Sequence, residues 1–153
     1  LRANRLKDKG ASYEEVVKAI EAFKHHINVQ FTVDDLFHLQ RGGRVSKATA
    51  LVGSALNLKP FLYVSDTGTL VSAGTVRGRK KSIHTLIERM KETLEEDTDY
   101  SLPVGIVHGN CPEDAQMAAG LVKEQTGFTD IIINDISPSI GTHAGPGALG
   151  ILY

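Results

Sequence analysis

Tryptophan is absent from this chain, cysteine occurs once, and no run of eighteen apolar residues exists. A single thiol excludes an internal disulfide and points to a cytoplasmic setting. Without a long apolar run, no helix here spans a bilayer, so no stable membrane insertion is expected. No secretory leader pattern is visible. Charge of either sign is also in short supply as an excess: the formal net charge is −1 and the isoelectric point about 6.7. That balance gives no global field toward nucleic acid or an anionic surface. The six histidines include no H-x-x-x-H pair, and C-x-x-C is missing, which argues against zinc or any other metal. Neither a G-x-S-x-G elbow nor a Walker loop occurs.

What is present suits one domain. Hydrophobic residues make up 41% and charged residues 23% of 153 positions, enough for a core and ordinary for a globular chain. The chain opens on Leu1-Arg2-Ala3-Asn4-Arg5-Leu6, which reads as the middle of a helix and predicts a fragment with an upstream partner. A helix end over residues 1–9 closes at Gly10. Ser12 with Glu15 forms a capping box for a second helix, whose Val16, Val17, Ala19, Ile20 and Phe23 share a face and which ends near His25 and His26. Residues 28–33 alternate as a strand, and Asp34 or Asp35 caps a short helix that the Arg41-Gly42-Gly43-Arg44 turn interrupts. Ser46 caps a further helix to about Leu56. Residues 60–64 and 69–77 read as a hairpin across Asp66-Thr67-Gly68. An amphipathic helix over 80–95, an apolar strand over 104–108, a helix to Gly127 with Pro112 at its first position and a strand over 130–136 complete the pattern. The sum is α/β, a mixed sheet flanked by helices, with the strand-helix-strand half after Pro103 parallel and the hairpin antiparallel.

Five features of this pattern carry chemistry or invite it. The segment from Ser139 to Tyr153 places His143 among glycines and a proline, where an imidazole can donate to an anionic or carbonyl group at a pocket mouth; it also reads as a plain tight turn. Gly145 to Gly150 matches G-x-G-x-x-G as a string, yet the chain ends three residues later, with no helix to receive a pyrophosphate. The arginines around Gly42-Gly43 suit phosphate or carboxylate, or are solvated. Arg77-Gly78-Arg79-Lys80-Lys81 suits nucleic acid or an acidic partner, or is a solvated face. Cys111, with His108 three residues before it, reads as a small helix-capping residue or as a nucleophile lacking an oxyanion site.

Taken together, Phe37-His38-Leu39-Gln40-Arg41-Gly42-Gly43-Arg44-Val45-Ser46, the Leu58-Lys59-Pro60 step, Arg77 to Lys81, Val107-His108-Gly109, and Ile140-Gly141-Thr142-His143-Ala144-Gly145-Pro146-Gly147 resemble the C-terminal domain of DegV-family proteins over nearly the whole chain. These are fatty-acid-binding proteins that include the FakB subunits of bacterial fatty acid kinase. The resemblance implies a two-domain fold of which residues 1–153 are the C-terminal, acyl-tail-enclosing domain, the N-terminal domain being absent from this chain. It implies a carrier, not an enzyme, that holds a long-chain fatty acid and presents its carboxylate to a fatty acid kinase, with the fatty acid as ligand and no cofactor. By motif match His143, with Thr142, would bind the carboxylate, and Arg44, Arg41 and Arg79 would present the head group or contact the kinase. Phe31, Leu51, Val52, Ala55, Leu56 and Phe61 are candidates to line the acyl tail, or they simply fill a core. The competing expectation is an acyl or phosphoryl transferase using His143 as general base, for which the sequence offers no nucleophile and no obvious orienting acid unless Asp135 folds close.

Overall fold

The computed structural model describes residues 1–45 and 57–153. The helix expected from Ser46 to Leu56 lies outside the described residues, and with it Leu51, Val52, Ala55 and Leu56.

Helices α1 (Arg2–Asp8) and α2 (Tyr13–Phe23) come first, the second held by the Ser12/Glu15 capping box. A 3₁₀ turn (Lys24–His26) leads to β1 (Val29–Thr32). Next come α3 (Leu36–Arg41), β2 (Leu58–Val64), β3 (Leu70–Arg77), α4 (Arg79–Thr93) and β4 (Val104–His108). The chain closes with α5 (Pro112–Thr126), β5 (Ile131–Asp135), α6 (Pro138–Ala144) and β6 (Leu149–Leu152). Six strands form one sheet in the order β3-β2-β1-β6-β4-β5. Among the described residues only the β4–β5 pair is parallel, joined through α5 as a strand-helix-strand unit must be.

Two elements depart from the sequence expectation. Residues after Ser137 form a helix, not an extended turn, because the Ser137 hydroxyl accepts the Ile140 N–H and Pro138 occupies the first helical position. The final Leu149-Gly150-Ile151-Leu152 is an inner strand, antiparallel to both β1 and β4. The rejected G-x-G-x-x-G string thus enters a strand and offers no helix N-terminus to a phosphate.

Alternation along the strands builds two unlike faces. One face packs on α4 and α5. Ile83, Leu86, Ile87 and Met90 of α4 meet Phe61, Val104, Ile106, Leu149 and Ile151 of the sheet, all at most 3% exposed. Ala115, Ala118 and Ala119 let α5 approach closely. The other face carries a smaller cluster at one end: Val33, Leu36, Leu39, Leu62, Ala144 and Ala148, with Phe31 and Ile136 packed against it. Helices α3 and α6 sit here in contact with each other.

On the first face Tyr153 is tied into the sheet. Gln30 Nε2 donates to its hydroxyl at 2.5 Å, and Thr93 Oγ1 bonds the same oxygen. Burial pushes this phenol above its ordinary pKa. Burial does the same to the Cys111 thiol, against the pull of Arg79. Both groups bind their protons more tightly folded than unfolded. Their stabilising contribution is therefore complete below the unfolded values, roughly 8.5 for thiol and 10 for phenol, and is lost as pH rises through the folded ones. The urea midpoint is expected to fall as pH rises above about 8.5, and Tyr153→Phe to flatten the upper part of that decline; an unchanged slope in that variant counts against it.

Candidate functional site

The site forms where the C-terminal end of α3 meets the C-terminal end of α6. Asp35 caps α3, its Oδ1 accepting the Phe37 N–H at 2.8 Å. Leu36 and Leu39 bury one side of the helix. The glycine pair then ends it. Gly43 has φ 71° and open space around its Cα. The Gly43 N–H donates to Gln40 O at 3.0 Å and the Arg44 N–H to Leu39 O at 2.8 Å, the paired bonds of a Schellman cap. Arg41 and Arg44 project from this cap, both exposed, with Arg44 Nη1 donating to Gly42 O at 2.6 Å.

His143 lies in the last turn of α6, the Nδ1 edge of its ring turned toward Gly42. Its Nδ1 is buried without a hydrogen-bond partner among the described residues. The neighbouring Ala144 belongs to the small apolar cluster with Leu36 and Leu39. Two of the segments that carry the family resemblance are thus brought into contact: the Gly-Gly-Arg turn packs on the histidine.

The second imidazole in this region, His38, has no local sequence signal that marks it. Its ring rests on Gly145 one helical turn before the His143 contact. Asp34, one further turn back, rests on Gly147. Asp34 is the centre of an ionic cluster: Lys59 Nζ is 2.9 Å from its Oδ1 and Arg79 Nη1 3.7 Å, while Arg79 Nε donates to Asp114 Oδ2 at 2.7 Å. Arg79 Nη2 lies 3.5 Å from Cys111 Sγ. These groups, with Asn57, Asn110 and Pro146, line a polar cleft of about 450 Å³ beside the α3–α6 contact.

Other expected site residues fall elsewhere. Thr142 is exposed, and its hydroxyl donates to Pro138 O at 2.8 Å, so its proton is engaged within α6. Phe31 pairs with Leu62 and Thr32 with Phe61. Partners in an antiparallel pair share a face, so Phe31 and Phe61 point to opposite sides of the sheet. Phe31 borders the cluster beside His143, whereas Phe61 belongs to the α4–α5 core and lines nothing on the His143 side. Arg79 is turned inward, while Arg77, Lys80 and Lys81 are exposed, which splits the basic run. Asp135 sits 3.4 Å from His108 Nδ1 and therefore does not orient His143. Cys111, with its proton held by burial, donates weakly to Ala148 O at 3.4 Å. Among the described residues no group of three or more metal-ligating side chains converges, and no helix is long and apolar enough to cross a membrane.

The family model of the DegV family, described as uncharacterised proteins, matches residues 1–153. A DegV domain-containing protein of Clostridium perfringens is 36% identical over 151 residues, which cover 99% of this chain and 51% of that protein. Among solved structures, a fatty acid binding DegV family protein from Streptococcus agalactiae superposes with a TM-score of 0.83 at 29% identity, covering 99% of this chain and 52% of that one. The Streptococcus pneumoniae fatty acid kinase B3 protein, loaded with linoleic acid, does so with a TM-score of 0.88 at 28% identity, covering 99% and 52%. The chain spans about half the length of the curated relatives it matches.

Proposed function

The chain belongs to the DegV family, and we propose from that premise that it is the C-terminal half of a fatty-acid carrier that presents the acyl carboxylate to a separate kinase. The observation that carries this reading is the placement of His143: an imidazole whose buried Nδ1 has no orienting partner among the described residues, set at the rim of an apolar cluster. Polar head and greasy tail are provided for side by side.

The physical requirements of such a ligand match. Burial of an acyl chain contributes roughly 0.8 kcal/mol per methylene, on the order of ten kcal/mol for sixteen carbons before ordering costs. A buried carboxylate needs donors, since leaving it unpaired costs more than the tail's burial of a few methylenes supplies. An orphaned N–H is costlier to bury than a bare acceptor. The buried Nδ1 is therefore the unprotonated nitrogen, and Nε2 carries the proton and donates to the carboxylate. Other donors come from the half of the protein that precedes this one. The exposed Arg41 and Arg44, beside His143, are suited to meet the kinase and steady the charge that develops when the carboxylate oxygen attacks the terminal phosphorus of a nucleoside triphosphate and the diphosphate leaves. Arg79 acts differently, by fixing Asp34 and Asp114 in place. Thr142 offers the carboxylate no proton in this arrangement.

Organic extraction of the natively purified full-length protein, followed by mass spectrometry, is the test. One equivalent of a long-chain fatty acid is expected. A protein that comes out lipid-free and takes up no added fatty acid overturns the carrier reading and returns His143 to the transferase alternative.

A further inference from the structure

Residues 34–42 and 143–147 run antiparallel and interlock. Asp34 rests on Gly147, His38 on Gly145, and His143 on Gly42, so each segment supplies a glycine where the other supplies a side chain. The spacing explains the registration. Positions 34, 38 and 42 recur every four residues along one side of α3 and its flanks, while 143, 145 and 147 unwind from the end of α6.

We propose that Gly42 is a positioning residue for His143, its missing Cβ being the seat of the imidazole. Unlike Gly43, Gly42 does not need to be glycine for its backbone: its φ of −76° and ψ of −1° are open to any residue. Space alone demands it. A Cβ at 42 would stand 2.2 Å from His143 Nδ1, 3.1 Å from Cγ and 3.2 Å from Cε1. The α3 backbone cannot yield, because Leu36 and Leu39 anchor it at 3% and 2% exposure. The ring must yield instead, by on the order of 1 Å, which exceeds the roughly 0.5 Å tolerance of a binding constellation. The turn that carries Arg41 and Arg44 and the imidazole that meets the carboxylate are thereby one mechanical unit. The functional consequence rests on the fatty-acid reading above; the packing itself does not.

The experiment is a double-mutant cycle in the full-length protein with Gly42→Ala, His143→Ala and the pair, Gly120→Ala serving as control because a Cβ there meets nothing within 4 Å. Oleic acid affinity, thermal midpoint and the His143 imidazole proton resonances are measured. Gly42→Ala is expected to weaken oleic acid binding at least tenfold and to shift the His143 resonances. Once His143 is alanine, it should add no further loss of affinity and lower the midpoint by less than it does with His143 present. Unshifted resonances, or additive losses in the pair, overturn the proposal. Should His143→Ala itself leave oleic acid affinity unchanged, the head-group role of His143 fails, and the resonances and midpoints still decide whether Gly42 seats the ring. If Gly42→Ala does not fold, refolding in the pair supports the interlock and continued unfolding overturns it.

Discussion

His143→Ala in the full-length protein is expected to weaken fatty acid binding by about 10- to 100-fold, because a hydrogen bond to a charged group contributes about 1.5–3 kcal/mol and each 1.4 kcal/mol is a factor of ten. The loss should be in the dissociation rate, as the apolar cluster beside His143 is untouched. His143→Gln, which keeps an amide donor near the position of Nε2, should recover part of it. The helical and strand content should not change, since α6 is held by its Ser137 cap and by Ala144 in the core, not by the imidazole. Displacement of a fluorescent fatty acid measured by stopped flow reads the rate directly. An unaltered rate in the alanine variant would remove His143 from the head-group site, whatever the protein carries.

Much of the scaffold is legible in the chain alone, because it is written in local chemistry. The Ser12/Glu15 box, Pro112 at the first position of α5 and the i, i+3, i+4 spacing of Ile83, Leu86, Ile87 and Met90 each act within a few residues, and each appears where expected. The end of the chain is less transparent. Glycine and proline dominate residues 141–150, and their local preference is for turns; Ser137-Pro138 is the available helix signal, and an inner strand of Leu149-Gly150-Ile151-Leu152 gains its partners only from β1 and β4. The site is legible as two separate motifs but not as one contact. Nothing local says that Gly42 faces His143 or that His38 faces Gly145, since those distances are set by the packing of α3 on α6. The two phenylalanines show the same limit. A sheet register offset by one residue decides which face a side chain takes, and the Phe31–Leu62 pairing sends Phe61 to the far side. The basic neighbours of Arg79 mark it as a surface charge; the Asp34 and Asp114 carboxylates that draw it inward lie 45 and 35 positions away in sequence.

Gly147→Ala is expected to be the most damaging single methyl group in the interlock, destabilising the protein by about 2–5 kcal/mol. Two costs combine. Gly147 has φ 76°, where an L-residue is strained by about 1–2 kcal/mol. Its Cβ would also stand 2.4 Å from Asp34 Oδ2 and 2.6 Å from Cγ, an overpacking that costs about 1–3 kcal/mol. The half-exposed Asp34 carboxylate can swing toward solvent only by leaving Lys59, 2.9 Å from one oxygen, and its Cβ would still stand 3.0 Å from the new methyl. Urea unfolding of Gly147→Ala, Asp34→Gly and the pair separates the two costs: with the whole Asp34 side chain removed, including the Cβ that would stand 3.0 Å away, the alanine should cost only its backbone strain. Equal costs in both backgrounds would mean that Asp34 does not press on Gly147. The effect should also reach the ligand. Displacing Asp34 releases the first rung of the interlock whose third rung seats His143, so a folded Gly147→Ala protein should lose fatty acid faster than the parent, in the same direction as Gly42→Ala and by a smaller factor. Loss confined to stability, with the fatty acid held as firmly as before, would mean that the three rungs pack independently and that only Gly42 governs the imidazole.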